Sequence, residues 1–183
     1  LNQNGAKFNA STGLHIHVVG FNTNFPKTVK RITTLVANFE KAIFASTGTK
    51  KRERGRWCGS IQRHGNADNA MARSGRNRYH VLNLTNLNRI GTVEFRAFSG
   101  SLNTEKVASY VRMCVGLVER AVNAKRNTNF TAKPTKGSSP IARNCEGQTA
   151  MCRLFYHLGW IKGRTNYVSG NLNPESACSF NSS

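Results

Sequence analysis

Two short segments of this chain alternate apolar residues with side chains that could do chemistry. Residues 13–19 read Gly-Leu-His-Ile-His-Val-Val and contain His15 and His17, and residues 92–98 read Thr-Val-Glu-Phe-Arg-Ala-Phe and contain Glu94 and Arg96. Because alternate side chains of a β-strand point to opposite faces, each polar pair would share one face of its strand. Two such strands in one sheet would offer a metal-binding acid, two nitrogen ligands and a fixed cation. The sequence therefore predicts that His15 and Glu94 converge within reach of one metal ion.

Each of these pairs also has a plainer interpretation. His15 and His17 are separated by about 7 Å along a strand, so we expect one to bind and the other to support it. A histidine on a strand is often only structural. Glu94 and Arg96 could equally belong to a charge network across the sheet. The apolar faces are expected to be formed by Leu14, Ile16 and Val18 on the first strand and by Val93, Phe95 and Ala97 on the other.

Two arginine-rich stretches lie between these segments. Arg73, Arg76 and Arg78 could clamp a phosphate, since a guanidinium offers planar, bidentate donors. Residues 50–56 carry Lys50, Lys51, Arg52, Arg54 and Arg56 beside Trp57, a pattern that resembles a nucleic-acid patch. The alternative for both stretches is a solvated cationic loop.

Charge is the most unusual total of the 183-residue chain. It has 27 Lys and Arg against 8 Asp and Glu, a formal net charge of +19. This balance suits nucleic acid, nucleotide phosphates or an acidic surface, unless an acidic segment elsewhere in a longer protein compensates it. No apolar run approaches the length of a membrane span, so no membrane partner is expected. The five cysteines are odd in number and form no C-x-x-C pair, which favours a reducing, cytoplasmic setting.

The periodicity predicts an α+β fold in which helices pack on one face of an antiparallel sheet. We expect strands at 13–19, 79–84 and 92–98, the last two forming a hairpin, and helices at 27–46, 104–124 and 148–158. Thr104 is the expected cap of the second helix. Residues 47–78 show no sustained period and are expected to be loop. The resulting division is a core at 1–125, a basic linker with a short helix at 126–160, and an Asn/Ser-rich tail at 161–183.

Three motifs in this order resemble those of the amidoligase family, whose fold is related to glutamine synthetase. They are Gly-Leu-His-Ile-His at 13–17, Arg-Tyr-His-Val-Leu-Asn-Leu at 78–84, and Thr-Val-Glu-Phe-Arg at 92–96 with Gly-Ser-Leu at 100–102. The resemblance implies a glutamine synthetase-like catalytic domain, present here in part. It implies ATP-dependent joining of a carboxylate substrate to an amine substrate through an acyl-phosphate, with Mg²⁺ or Mn²⁺ as cofactor.

The resemblance also implies roles for individual residues. His15 and Glu94 would be ligands of one metal ion, and Arg96 would hold the transferred phosphoryl group or the acyl-phosphate. Arg78 would be a second contact to substrate or phosphate, and His17 would support catalysis. Arg73 and Arg76 would bind the phosphates of the nucleotide cofactor.

One departure from the family pattern leaves two functions open. Such enzymes need further carboxylates, normally from a Glu-x-Glu strand ahead of the histidine motif, and residues 1–12 contain no acid. Either the N-terminal part of the family domain is missing from this chain, or catalysis has been lost. The second alternative is a basic, non-catalytic protein that binds nucleic acid or an acidic partner, as a homo-oligomer or within a larger assembly.

Overall fold

A computed structural model of the chain describes residues 5, 7–9, 11–20, 25–47, 51–127, 130, 151 and 153–160. It confirms the α+β class, with a small antiparallel sheet and helices. The elements, in chain order, are β1 (Gly13–Val18), α1 (Phe25–Ser46), α2 (Lys51–Arg54), a 3₁₀ turn (Gln62–His64), α3 (Ala67–Arg76), β2 (Leu82–Asn83), α4 (Leu87–Ile90), β3 (Val93–Ser99) and α5 (Thr104–Asn123).

The sheet has three strands in the order β1-β3-β2, with β3 in the centre and both neighbours antiparallel to it. The predicted hairpin of the second and third strands is therefore confirmed. The second strand is much shorter than the predicted 79–84, because only Leu82 and Asn83 pair with β3. His80, just before it, instead forms a parallel bridge with Gly59.

A bulge in β3 changes the predicted alternation of its side chains. Ile16 pairs with Phe95, but Leu14 pairs with Phe98, so three steps along β3 match two steps along β1. Ala97 is buried in the core, as expected, but Phe98 and not Ala97 lies opposite Leu14 in the ladder. A bulge inserts one residue into the ladder and re-aims the side chains on either side of it.

The apolar face of the sheet packs against α1 and α5, as predicted. Phe98 stacks on Tyr110 of α5 with ring centroids 4.3 Å apart. Helix α1 buries the stripe of apolar residues that its three- and four-residue spacing predicts. Helix α5 buries most of its predicted stripe, but Val111 and Val122, which the spacing also places there, are exposed. The cap of α5 is Asn103 and not Thr104, since the Asn103 side chain accepts a hydrogen bond from the Lys106 backbone N–H at 2.8 Å.

The prediction that residues 47–78 are loop is wrong for much of the segment. It contains α2, the 3₁₀ turn and the ten-residue α3. Helix α3 buries Ala67, Ala70 and Ser74, a stripe of small residues that packs against α1, and Asn66 caps its first turn by accepting from the Asn69 N–H. Small side chains let two helices approach closely but give little hydrophobic signal in the sequence.

The C-terminal predictions fall largely on residues outside the described ranges. Within the predicted helix at 148–158, residues 153–157 are helical. The linker residues 131–146 and the tail at 161–183 lie outside the described residues. In the part of the chain that is described, no helix is long and apolar enough to cross a membrane.

Candidate functional site

Glu94 lies at the centre of the polar face of the sheet, in the middle strand. His17 of β1 is its partner on one side and Asn83 of β2 on the other. The Arg96 guanidinium donates from Nη1 to Glu94 Oε1 at 2.6 Å, and the Asn83 side-chain amide donates to Oε2. The five residues His15, His17, Asn83, Glu94 and Arg96 are called the Glu94 cluster below.

The predicted convergence of His15 and Glu94 is observed. His15 Nδ1 is 3.0 Å from Glu94 Oε1, although the two residues are not paired in the ladder. The β3 bulge lies opposite His15, which allows this diagonal contact. His17 approaches less closely, with Nε2 3.9 Å from Glu94 Oε2, and its Nδ1 is 3.0 Å from Thr92 Oγ1. Glu94 is buried, whereas both imidazoles are about one-third exposed or more, at 36% and 40%.

The surroundings of Glu94 keep its carboxylate ionised. Burial by itself raises the pKa of Glu94, but hydrogen bonds from His15 and Asn83 and the charge of Arg96 outweigh it and lower the pKa to about 2. Hydrogen bonds to the charged form and an adjacent cation both stabilise an anion. Glu94 is therefore a fixed negative charge at neutral pH and would act as a ligand or an electrostatic group rather than as a proton donor.

His15 contacts two groups that require opposite protonation states of its Nδ1 atom. Its Nδ1 is 3.0 Å from the Glu94 carboxylate oxygen and 3.3 Å from Arg96 Nη1. A protonated Nδ1 can donate to Glu94, and an unprotonated Nδ1 can accept from Arg96, but it cannot do both at once. The tautomer of the His15 ring therefore decides which of the two contacts is a hydrogen bond.

The His15–Glu94 pair fits two adjacent ligand positions of an octahedral cation. Two such ligands with bonds near 2.1 Å are about 3.0 Å apart, close to the separation of Nδ1 and Oε1. Across the described ranges, no group of three or more His, Cys, Asp or Glu side chains is arranged to hold a metal ion. A divalent ion here would thus need further ligands from water and phosphate, which is how Mg²⁺ usually binds at nucleotide sites.

The three predicted arginines outside the strands divide into two groups. Arg78 lies 5.1 Å from the centroid of the Tyr79 ring, and Arg96 lies 5.9 Å from the same ring, so Tyr79 connects Arg78 to the Glu94 cluster. Arg73 and Arg76 are exposed in the last turn of α3. No hydrogen bond or ion pair between described residues joins either of them to the cluster.

Several contact residues were missed by reasoning from the sequence. Asn83 binds Glu94, Thr92 binds His17, and the Trp57 carbonyl accepts from Arg96 Nε at 3.5 Å. Asn83 carried a usable signal, because it is a single polar residue between Leu82 and Leu84 on a predicted strand. Trp57 carried none for this contact, since its backbone carbonyl makes it.

Arg52 holds the backbone beneath the cluster. Its buried guanidinium donates from Nη2 to the Arg96 carbonyl at 2.6 Å and lies against Gly13. A Cβ on Gly13 would come within 2.7 Å of Arg52 Nη2, so an alanine here would require the guanidinium to shift. Arg52 Nε is buried without a hydrogen-bond partner among the described residues.

Comparison with known proteins identifies the domain at the level of its family. A family model described as "putative amidoligase enzyme" matches residues 1–65 and 61–118, which together cover most of the chain and include all members of the Glu94 cluster. No curated protein and no solved structure matches the chain significantly.

Proposed function

This chain belongs to the amidoligase family, and on that basis we propose that it is an ATP-dependent ligase that joins a carboxylate to an amine. The proposal includes the glutamine synthetase-like fold that its motifs resemble. The observation that carries it is the buried, ionised Glu94 held between Arg96 and His15, because phosphoryl transfer depends on fixed charges more than on covalent chemistry.

The proposed reaction has two steps. A carboxylate oxygen of the first substrate attacks the γ-phosphorus of ATP, the bond from that phosphorus to the β–γ bridging oxygen breaks, and ADP leaves. The amine nitrogen of the second substrate then attacks the acyl carbon, and inorganic phosphate leaves as the amide forms. The nitrogen loses one proton in this step, so a base must be close to it.

Arg96 is the proposed contact to the transferred phosphoryl group. Its Nη1 is taken up by Glu94 and His15, while Nη2 has no hydrogen-bond partner among the described residues. A guanidinium anchored on one side by a carboxylate presents its other donors in a fixed orientation, which suits a phosphoryl oxygen. Arg78, exposed beside Tyr79, is the proposed second contact to phosphate or to the carboxylate substrate.

His17 is the proposed base for the amine proton. Thr92 orients its ring through Nδ1, and its Nε2 lies beyond hydrogen-bonding distance of Glu94, at 3.9 Å. The ring is partly exposed, so an amine could reach it from solvent. Imidazole is the side chain whose ordinary pKa best suits proton transfer near neutral pH.

The proposed metal ligands are His15 and Glu94. A divalent ion, Mg²⁺ or Mn²⁺, would neutralise charge on the nucleotide phosphates when bound. Arg73 and Arg76 stay in the proposal only as contacts to the outer phosphates of ATP, because no hydrogen bond or ion pair in the described part of the chain connects them with the Glu94 cluster.

The test is ATP turnover by the chain with Mg²⁺, a mixture of carboxylic acids, and hydroxylamine as the amine. An acyl-phosphate reacts with hydroxylamine to give a hydroxamate and phosphate, both of which can be measured. We expect Glu94→Gln to lower this activity by about 100-fold or more, the range seen when one preorganised electrostatic group is removed. The matched control is Glu119→Gln, which changes an exposed acid on α5 and should leave turnover intact.

A non-catalytic binding protein is the competing function. Among the described residues, Glu94 is the only carboxylate in the cluster. Enzymes of this chemistry use several carboxylates. Absence of ATP-dependent hydroxamate formation from the unmodified chain, at any carboxylate tested with Mg²⁺ or Mn²⁺, would favour this alternative over the ligase.

A further inference from the structure

Two aromatic rings and two guanidinium groups form a row on the surface beside the Glu94 cluster. The rings of Trp57 and Tyr79 meet edge to face with centroids 5.1 Å apart. Arg56 lies over the Trp57 ring at 4.6 Å from its centroid, and Arg78 lies beside the Tyr79 ring at 5.1 Å. Trp57 is 44% exposed, which is unusual for so large an apolar side chain.

A third arginine extends the row. Gly59 binds Tyr79 through its backbone, with its N–H donating to the Tyr79 carbonyl at 2.8 Å. The Arg63 guanidinium lies against Gly59, with Nη2 3.3 Å from the position that a Cβ would occupy. Arg56, Trp57, Arg63, Arg78 and Tyr79 are called the aromatic–arginine surface below.

Ion pairs with described residues do not neutralise the arginines of this surface, although the charge of Glu94 acts on Arg78 from a distance. The exposed Arg56, Arg63 and Arg78 take part in no ion pair with a described residue. The nearby acids of the segment are used elsewhere, Glu53 by Lys41 and Asp68 by Lys30. Arginines without an ion-pair partner, next to the exposed Trp57 ring and the half-buried Tyr79 ring, favour a ligand that carries both negative charge and flat, stackable groups.

We propose that the aromatic–arginine surface binds single-stranded nucleic acid, with bases stacked on Trp57 and Tyr79 and phosphates paired with the three arginines. Unpaired bases are the flat groups that stack on exposed aromatic side chains, and each stack contributes about 1–3 kcal/mol. A duplex hides its base faces, and an acidic peptide supplies the charge without the rings. The proposal shares Arg78 with the ligase proposal but uses none of the charges that Glu94, His15 and Arg96 hold.

Variants of the stacking residues distinguish this proposal from a general attraction of nucleic acid to a chain with a net charge of +19. The test is fluorescence anisotropy of a labelled single-stranded 12-mer with the chain near physiological salt. We expect Trp57→Ala and Tyr79→Leu each to weaken the affinity by between about 5-fold and 150-fold, the equivalent of one lost base stack. The matched control is Trp160→Leu, an exposed tryptophan of the C-terminal described segment, which should bind as the unmodified chain does.

Charge variants test the phosphate contacts. Arg56→Gln should lower the affinity and also reduce the slope of log affinity against log salt by about 1, because each phosphate contact releases counterions. Arg112→Gln, an equal change of charge at an exposed position of α5, should leave both affinity and slope unchanged.

Three results would overturn the proposal. The first is equal loss of affinity in the Arg56→Gln and Arg112→Gln variants, with no effect of Trp57→Ala, since this would show attraction to net charge alone. The second is duplex binding as tight as single-strand binding. The third is binding of free ATP at this surface with no measurable affinity for the 12-mer. Because Glu94→Gln should not alter 12-mer binding, failure of the ligase proposal would be seen separately.

Discussion

The Glu94 cluster and the aromatic–arginine surface are neighbours that differ in the burial and pairing of their charged groups. In the cluster, the anion Glu94 and the cation Arg96 are buried and bound to each other. On the surface, three arginines are exposed and unpaired with acids of the described chain. Tyr79 of the surface links the two regions, because its ring lies near Arg78 of the surface and Arg96 of the cluster.

The difference indicates two kinds of task. Buried charges interact strongly because the local dielectric constant is low, and their geometry is fixed by their partners, as an active site requires. Exposed charges are screened by salt and adapt to a ligand, as binding to a flexible polyanion requires. The comparison therefore predicts that equivalent substitutions will have very different effects in the two regions.

The largest effect on stability is expected when the buried pair is broken. Glu94→Leu keeps the volume of the side chain but leaves the buried Arg96 without its carboxylate, which should lower the free energy of unfolding by about 3–5 kcal/mol. Arg56→Leu, its counterpart on the surface, should change it by less than about 0.5 kcal/mol. Urea denaturation followed by circular dichroism measures both. Similar values for the two variants would remove the distinction between the regions.

A smaller effect is expected from adding one methyl group to a glycine. Gly13→Ala would push against the buried Arg52 guanidinium and disturb its bond to the Arg96 carbonyl, at a cost of about 1–3 kcal/mol. Gly75→Ala on α3 meets no atom within 4 Å and should instead stabilise the helix by about 0.5–1 kcal/mol. A neutral result for Gly13→Ala would mean that the Arg52 contact does not fix the strand.

The smallest effect on stability is expected from the His64–His80 pair, which lies next to the aromatic–arginine surface. His64 Nε2 is 3.1 Å from His80 Nε2, with Arg63 and Arg73 close by. Burial lowers the pKa of both imidazoles, and the neighbouring positive charges lower it further. Because the unfolded chain then binds protons more readily, the stability that the neutral pair supplies is lost as the pH falls through about 6.5, the ordinary value.

Denaturation at pH 7.5 and pH 5.5 measures this dependence. The unmodified chain should lose more stability over this range than the His64→Gln, His80→Asn double variant. His157, whose pKa burial also lowers, stays in both proteins and cancels from the difference. An unchanged pH dependence in the double variant would contradict the expectation.

The sequence predicted the sheet and the convergence of His15 with Glu94 because strand parity is a local property. In a regular strand, side chains two residues apart share a face. The β3 bulge was not predictable in this way, because the extra residue becomes visible only when β1 is laid against β3. Because of this extra residue, Phe98 and not Ala97 lies opposite Leu14, and His15 can contact Glu94 diagonally.

The segment 51–78 was the hardest part to predict for a different physical reason. Helix α3 is held by Ala67, Ala70 and Ser74, whose small side chains contribute shape rather than hydrophobicity. The meeting of Trp57 with Tyr79 depends on backbone bonds through Gly59, which join residues about twenty positions apart. Composition alone left open whether the segment binds an anion or is a solvated cationic loop, and it did not show which side chains come together.

Histidines lie in the Glu94 cluster and, as the His64–His80 pair, next to the aromatic–arginine surface, so one measurement can locate the metal site. The imidazole signals of the chain would be followed by NMR while Mn²⁺ is added in small amounts with ATP, because the paramagnetic ion broadens signals close to it. We predict that the signals of His15 and His17 broaden first, and that Glu94→Gln abolishes this effect while leaving both rings in place. Broadening of His64 and His80 with His15 unaffected would contradict the assignment of the metal and nucleotide site to the Glu94 cluster.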